Sequence, residues 1–302
     1  MLNFMCRMTF AAAAALMATA LACPLSAQQV PGRDLYQFPL GALAEPAALA
    51  SDAGGGFWNP ATLALQAPSR LLLSVTALNS PIEQGVGEQL GTVAYRSGAF
   101  TFGGQIAQAS VADLIRTDTD PQSIGDEIPY RSTILSAIAT ATRGRATLGL
   151  ALRRRSGTVD DLSGHATSVD VGGTIERPGG LPVRLAASTF LNSVTGRGDR
   201  VTLLGAAEAL LPIPAADVRA GVAVQGEREG AGSETYGYGS VRAKIVELHG
   251  GVARLNAFGE TTTRLRLGLG LRYARYLVGV AREEGTAGLG STYQFLLTTT
   301  FR

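Results

Sequence analysis

Arg264-Leu-Arg-Leu-Gly-Leu-Gly-Leu-Arg272 is the stretch whose reading decides the fold. Leu265, Leu267, Leu269 and Leu271 alternate strictly with arginine and glycine. A helix would scatter those leucines around its circumference. A strand lines them up in one row, because successive side chains point to opposite faces. Thr147-Leu-Gly-Leu-Ala-Leu-Arg153, Val218-Arg-Ala-Gly-Val-Ala-Val-Gln225 and Val183-Arg-Leu-Ala-Ala-Ser188 repeat the rule. The last segment sets Tyr293, Phe295, Leu297 and Phe301 on one side. From Arg70 onward no apolar run is long enough for a spanning helix.

Worked outward from that stretch, the pattern predicts fourteen strands, at 70–78, 89–97, 99–109, 130–142, 146–155, 166–177, 181–192, 200–210, 217–226, 235–245, 248–256, 263–273, 275–283 and 290–301. Their length suits tilted strands crossing a bilayer. Tight turns are expected at Ser97-Gly98, Arg143-Gly-Arg145, Pro178-Gly-Gly180, Pro212-Ile-Pro214 and around Ala274. Longer polar loops are expected at 111–128, 156–165, 195–199, 227–234, 257–262 and 284–288. Short turns at one end and longer loops at the other are the asymmetry of an outer-membrane barrel.

Alternation alone fits two architectures. In a soluble sandwich the leucine rows pack inward and the arginines meet water. In a membrane barrel the leucines meet lipid, and the arginine and glycine face lines the lumen. The even strand count, the loop asymmetry and the aromatic final strand favour an all-β fold of about fourteen antiparallel strands closed into a transmembrane barrel. Closure also removes exposed strand edges. On this reading Arg184, Arg219, Arg264, Arg266 and Arg272 face the lumen, either pairing with acids of an internal segment or lining a polar path.

The first residues, MLNFMCRMTFAAAAALMATALACPLSAQQ, read as a secretory signal peptide over 1–27. Arg7 is followed by an apolar stretch and by small residues around a cut after Ala27. A lipoprotein reading would use Cys23, but Leu21 sits one place off the usual position and Pro24 follows the cysteine. Both cysteines, Cys6 and Cys23, fall in the removed segment, leaving no thiol for a disulfide or a thiolate metal site. Removing Arg7, with no acid beside it, lowers the net charge from +2 to +1. A chain so close to neutrality is a poor binder of nucleic acid.

Residues 28–69 depart from the strand pattern, with Pro31, Pro39, Pro46, Pro60 and Pro68. Their apolar content, including Leu35, Tyr36, Phe38, Leu49, Phe57 and Trp58, argues against a free tail. Such a segment needs a surface to pack on, and a fourteen-strand lumen needs filling. The expectation is therefore an internal plug over 28–69 and a barrel over 70–302. Asn59 favours a turn through its own side chain, and Pro60 fixes the next φ. Gly54 to Gly56 open conformations closed to other residues. Trp58, the chain's only tryptophan, is expected to anchor the plug to the wall.

The run from Gly41 through Glu45, Asp52, Gly54-Gly-Gly56, Phe57, Trp58, Asn59, Pro60 and Ala61 to Leu63 resembles the N-terminal signature of FadL-type outer-membrane proteins. That superfamily includes long-chain fatty-acid and aromatic-hydrocarbon transporters and PorV-like secretion proteins. The resemblance implies an N-terminal hatch inside the barrel and passive uptake of small hydrophobic compounds. It also implies partners: outer-membrane lipids, a hydrophobic small-molecule cargo and the barrel-assembly machinery. The competing expectation is a PorV-like scaffold, or a structural barrel without transport. Cargo uptake predicts an apolar pocket between hatch and wall; a scaffold predicts a packed lumen. Departures from the family are the lone Asp52 before the glycines and the absence of a long helical loop. Gly103-Gly104 falls on the third strand, where the resemblance implies an inward kink opening a side exit. The plainer reading of that pair is small residues that let the plug approach the wall.

No catalytic or cofactor site is expected. His165 and His249 are the only histidines, and both read as solvated loop residues with no partner at metal-ligand spacing. Asp118-Thr-Asp120 lacks the glycine and glutamate spacing of a calcium loop. Serine-histidine-acid arrangements and phosphate loops are absent at convincing spacing.

Overall fold

The computed structural model describes residues 30, 34–36, 44–51, 53–65, 70–80, 85–112, 114, 127–195, 201–227, 232–257, 259–285 and 290–301. The expected signal peptide, Asp52, Gly41 and the Asp118–Asp120 stretch lie outside the described residues.

Alternating side chains form strands β1 (Leu71–Asn79), β2 (Val86–Ser97), β3 (Phe100–Val111), β4 (Tyr130–Arg143), β5 (Ala146–Val159), β6 (Leu162–Glu176) and β7 (Val183–Phe190). The series continues through β8 (Thr202–Ile213), β9 (Ala216–Glu227), β10 (Ser233–Ala243), β11 (Val246–Ala257), β12 (Glu260–Tyr273), β13 (Tyr276–Glu283) and β14 (Thr292–Phe301). Each pairs antiparallel with its chain neighbours, and β1 closes on β14 from Leu71↔Phe301 to Asn79↔Tyr293. The chain is thus a closed fourteen-stranded barrel.

The leucine rows look outward. Leu265, Leu267, Leu269 and Leu271 are exposed, as are Leu148, Leu150, Leu152, Val222 and Leu297 on other strands. Arg266, on the opposite face, is 3 % exposed. An apolar belt running round a whole molecule is far larger than a water-soluble surface carries, and it matches the lipid-facing band of a transmembrane barrel. Aromatic residues gather where the belt meets the short turns. Phe100 and Phe102 stack beside the β2–β3 turn, and Tyr273 and Tyr276 flank the β12–β13 turn, with Arg275 over Tyr276. Such girdles sit at the membrane–water boundary because the rings are amphipathic.

Most connections at that end are tight. Gly98, Gly144, Lys244 and Ala274 each begin a two-residue turn with φ between 52° and 62°. That left-handed start matches the twist of the flanking strands. Ile213 still belongs to β8, so the expected Pro212-Ile-Pro214 turn is Pro214-Ala215 instead. At the opposite end two expected loops are tight turns as well. β5 and β6 run on to Asp160-Asp161, and β11 pairs with β12 as far as Ala257↔Glu260.

The wall has one irregular seam among the described strands. β6 pairs with β7 only from Gly172↔Ser188 to Glu176↔Arg184. Beyond it, Ser168 bridges Ser193, so the β7 side carries one extra residue. This bulge contains Leu191 at φ 55° and turns Leu191 inward beside Phe190, which already faces inward by the alternation of β7.

The core lies inside the barrel. Leu35, Tyr36, Ala48, Leu49, Phe57 and Trp58 cluster with wall residues including Leu78, Leu90, Ala107, Ile134, Phe190 and Tyr236.

Candidate functional site in the lumen

The Asn-Pro-Ala stretch builds a compact turn from its own groups. Gly56 adopts φ 85°, open to glycine and closed to most residues. Its N–H donates to Thr62 Oγ1 at 3.0 Å, and that hydroxyl donates to Asn59 O at 2.9 Å. Asn59 Oδ1 accepts from Ala61 N at 3.0 Å, the local bond that makes asparagine a turn residue. Pro60 then opens a 3-10 helix, Pro60–Leu65. Asn59 Nδ2 donates to Ala48 O at 2.8 Å, tying this turn to the preceding 3-10 turn at Ala47–Leu49.

An irregular segment leaves carbonyls without partners, and inside a barrel no bulk water serves them. Here the wall supplies the donors. Ser74 and Thr92 both donate to Ala53 O at 3.3 Å, and Gln105 Nε2 donates to Gly55 O at 2.9 Å. Ser188 Oγ reaches Trp58 O at 3.2 Å, and Tyr236 OH reaches Ala44 O at 2.7 Å. Tyr36 reverses the direction, donating to Ser132 O at 3.0 Å, and burial pushes its phenol well above the ordinary tyrosine range.

Arg153 is the centre of this fastening, with no exposed surface. Its Nε donates to Asp170 Oδ2 at 2.6 Å and its Nη1 to Ser136 Oγ at 3.0 Å. Its Nη2 donates to Phe57 O at 2.5 Å and Gly56 O at 3.2 Å. The guanidinium also lies over the Phe57 and Phe190 rings, at 5.5 and 5.3 Å. Asp170 Oδ1 accepts from Asn192 N at 2.9 Å, so one carboxylate holds both the arginine and the β7 bulge. Two positions away on the same face, Arg155 Nη1 donates to Val30 O at 2.8 Å. Sequence reasoning missed both arginines. The signal was present, because the period that turns Leu148, Leu150 and Leu152 outward turns Arg153 and Arg155 inward.

Trp58 is 2 % exposed, tilted against Phe190 at 4.2 Å and edge-on to Phe57 at 5.6 Å. Pro60 and Ala61 rest on two wall glycines. A Cβ on Gly149 would lie 2.4 Å from Pro60 C and Ala61 N, and one on Gly172 would lie 2.0 Å from Asn59 Oδ1. These inward glycines are the floor that lets the turn approach the sheet. Gly103 is a third such position, its added Cβ 2.7 Å from Leu63 Cδ2. β3 keeps a constant register with β2 and β4 straight through Gly103 and Gly104.

The five arginines named from the sequence all make ion pairs. Arg184 binds Glu208 at 2.8 Å and Glu176 at 2.5 Å, and Arg219 binds Asp217 at 2.9 Å. Arg264 meets Glu283 at 2.8 Å. Arg266 holds both oxygens of Glu234 at 2.7 Å and also contacts Glu283. Arg272 binds Glu247 at 2.7 Å. Arg184, Glu176, Asp217 and Arg219 border a cavity of about 670 Å³ near the short-turn end. Between Ala47-Ala48 and the wall at Leu204 and Tyr236 only about 10 Å³ remains, the size of one water.

The solvated-loop reading of His249 is also corrected. The turn lies at Lys244-Ile245, so His249 sits within β11, 6 % exposed, with Glu247 Oε1 at 3.1 Å and Glu45 close by. His165 is exposed but lies on β6 rather than in a loop.

The wall defines a closed transmembrane β-barrel. Comparison with one solved structure agrees on the fold. The toluene transporter TodX of Pseudomonas putida superposes with a TM-score of 0.59 at 9 % identity, over 91 % of this chain and 98 % of that one. CdiB from Acinetobacter baumannii matches with a TM-score of 0.46 at 10 % identity, over 78 % of this chain and 61 % of that one. A triple mutant of the Rhodopseudomonas blastica porin gives 0.43 at 11 % identity, over 76 % and 99 %. No protein-family model and no curated protein matches the chain.

Proposed function

We propose that this protein is an outer-membrane channel of FadL type that passively admits small hydrophobic compounds, with residues 28–69 as its hatch. One observation carries the reading. The Asn-Pro-Ala turn rests on Gly149 and Gly172 inside the barrel, and Arg153 grips the adjoining Phe57 carbonyl. The fold shared with TodX supports it. The hatch is held by polar side chains around an apolar, aromatic interior, an arrangement suited to displacement by an apolar ligand. The cavity near the short-turn end then serves as the vestibule on the periplasmic side. Secretion by the signal peptide, insertion by the barrel-assembly machinery and residence among outer-membrane lipids belong to the same proposal.

A second reading is a PorV-like scaffold without transport, and the tight fit of Ala47-Ala48 against the wall favours it. Flux of a long-chain fatty acid into liposomes, with and without the purified protein, separates the two. Flux above the protein-free baseline supports the channel. Baseline flux from correctly folded barrels overturns it in favour of the scaffold.

A further inference from the structure

Three ligand-type side chains meet where the inner segment touches β11. Glu45, Glu247 and His249 each bring one oxygen or nitrogen, all within 4.8 Å of one another. They are 7 %, 7 % and 6 % exposed. Glu247 and His249 are two residues apart on β11 and so share its inward face. Glu45 is carried to them by the inner segment, whose neighbouring Ala44 carbonyl is held by Tyr236.

We propose that these three residues form a binding site for a divalent transition-metal ion of the zinc class, which clips the inner segment to the wall. The donor set is the first argument. Two carboxylates and one imidazole are a usual ligand combination for such ions, at bond lengths of about 2.0–2.2 Å. Tetrahedral ligands at that radius stand about 3.3 Å apart. His249 Nε2 and Glu247 Oε1, at 3.1 Å, already have nearly that spacing.

Orientation is the second argument. Ligating carboxylates are normally steadied by a hydrogen bond to their other oxygen. Glu247 Oε2 accepts from Arg272 Nε at 2.7 Å, leaving Oε1 turned toward His249. Glu45 Oε2 accepts from Ser51 N at 3.0 Å, which fixes that side chain on its own turn. A fourth position would be filled by water. Because the ligands come from two segments far apart in the chain, the ion would bind only when the inner segment is seated. This inference is independent of whether the barrel transports anything.

The test uses the full barrel in detergent, stripped with a chelator and titrated with Co²⁺, whose visible absorption reports ligand geometry. One Co²⁺ per chain, displaced by Zn²⁺, is expected. Glu45→Gln and His249→Gln should each weaken uptake by about tenfold or more. His165→Gln, which alters the exposed histidine of β6, should leave it unchanged. Folded wild-type barrel that takes up no Co²⁺ overturns the proposal without any variant. Uptake in Glu45→Gln and His249→Gln as strong as in the wild type overturns it too.

Discussion

Gly172 and Gly173 are adjacent on β6 and face opposite ways, so the same substitution at each isolates the seating of the inner segment. A Cβ added at Gly172 would lie 2.0 Å from Asn59 Oδ1 and 3.0 Å from Pro60 Cδ. One added at Gly173 meets Leu148 Cδ2 at 3.5 Å and Thr147 O at 3.8 Å, both ordinary contacts. In Gly172→Ala the turn must lift. Overpacking costs about 1–3 kcal/mol. The bonds from Asn59 Nδ2 to Ala48 O and from Ala61 N to Asn59 Oδ1 are strained with it, each contributing about 0.5–1.5 kcal/mol. Together the turn should lose about 2–6 kcal/mol of local stability. Each 1.4 kcal/mol is a factor of about ten, so the lower bound corresponds to roughly 30-fold faster opening. Hydrogen exchange read at the Ala61 and Thr62 amides measures it directly, because both are bonded within the turn. Gly173→Ala should leave those rates unchanged. Equal exchange in the two variants would refute the claim that inward glycines form the floor of the turn.

Other perturbations follow from the same contacts. Arg153→Met leaves Asp170 buried without its arginine and should cost about 3–5 kcal/mol in urea unfolding from lipid vesicles, and Arg153→Met with Asp170→Asn should recover part of that loss. Glu88 is 1 % exposed, and among the described residues neither carboxylate oxygen finds a hydrogen-bond partner. Glu88→Leu should therefore stabilise the barrel by about 1–3 kcal/mol in the same assay, and a loss of stability would contradict this. Leu150→Arg places a charge in the outward belt and should cost about 2–4 kcal/mol, whereas Leu181→Arg, beside the short β6–β7 connection, should cost about 0–1.

The strands were legible because alternation is a local signal that survives without knowledge of partners. All fourteen lie near their expected places, and the errors sit at their ends. Ser156-Gly-Thr-Val-Asp-Asp161 reads as a loop because its residues are polar on both faces, yet β5 and β6 simply continue there as a polar hairpin. His249 reads as a loop residue because it sits at the start of the expected strand 248–256, when the chain reverses earlier, at Lys244, in a left-handed conformation that needs no glycine. The interior was less legible. That Arg153 faces inward follows from period two, but its pairing with Asp170 depends on the β5–β6 register, and its grip on Phe57 joins residues 96 positions apart. The inward turn of Phe190 follows the alternation of β7, but that of Leu191 beside it comes from a single extra residue beyond β7, which no hydrophobic pattern announces.

Nitroxide scanning of β12 from Leu265 to Leu271 in lipid vesicles tests the central claim most directly, by comparing collision with dissolved oxygen and with a water-soluble nickel complex. Leucine rows that face hydrocarbon should give oxygen maxima at 265, 267, 269 and 271, with nickel access low throughout. Oxygen minima at those four positions, with nickel reaching 264, 266 and 268, would mean the rows are packed between sheets and the chain is no membrane barrel.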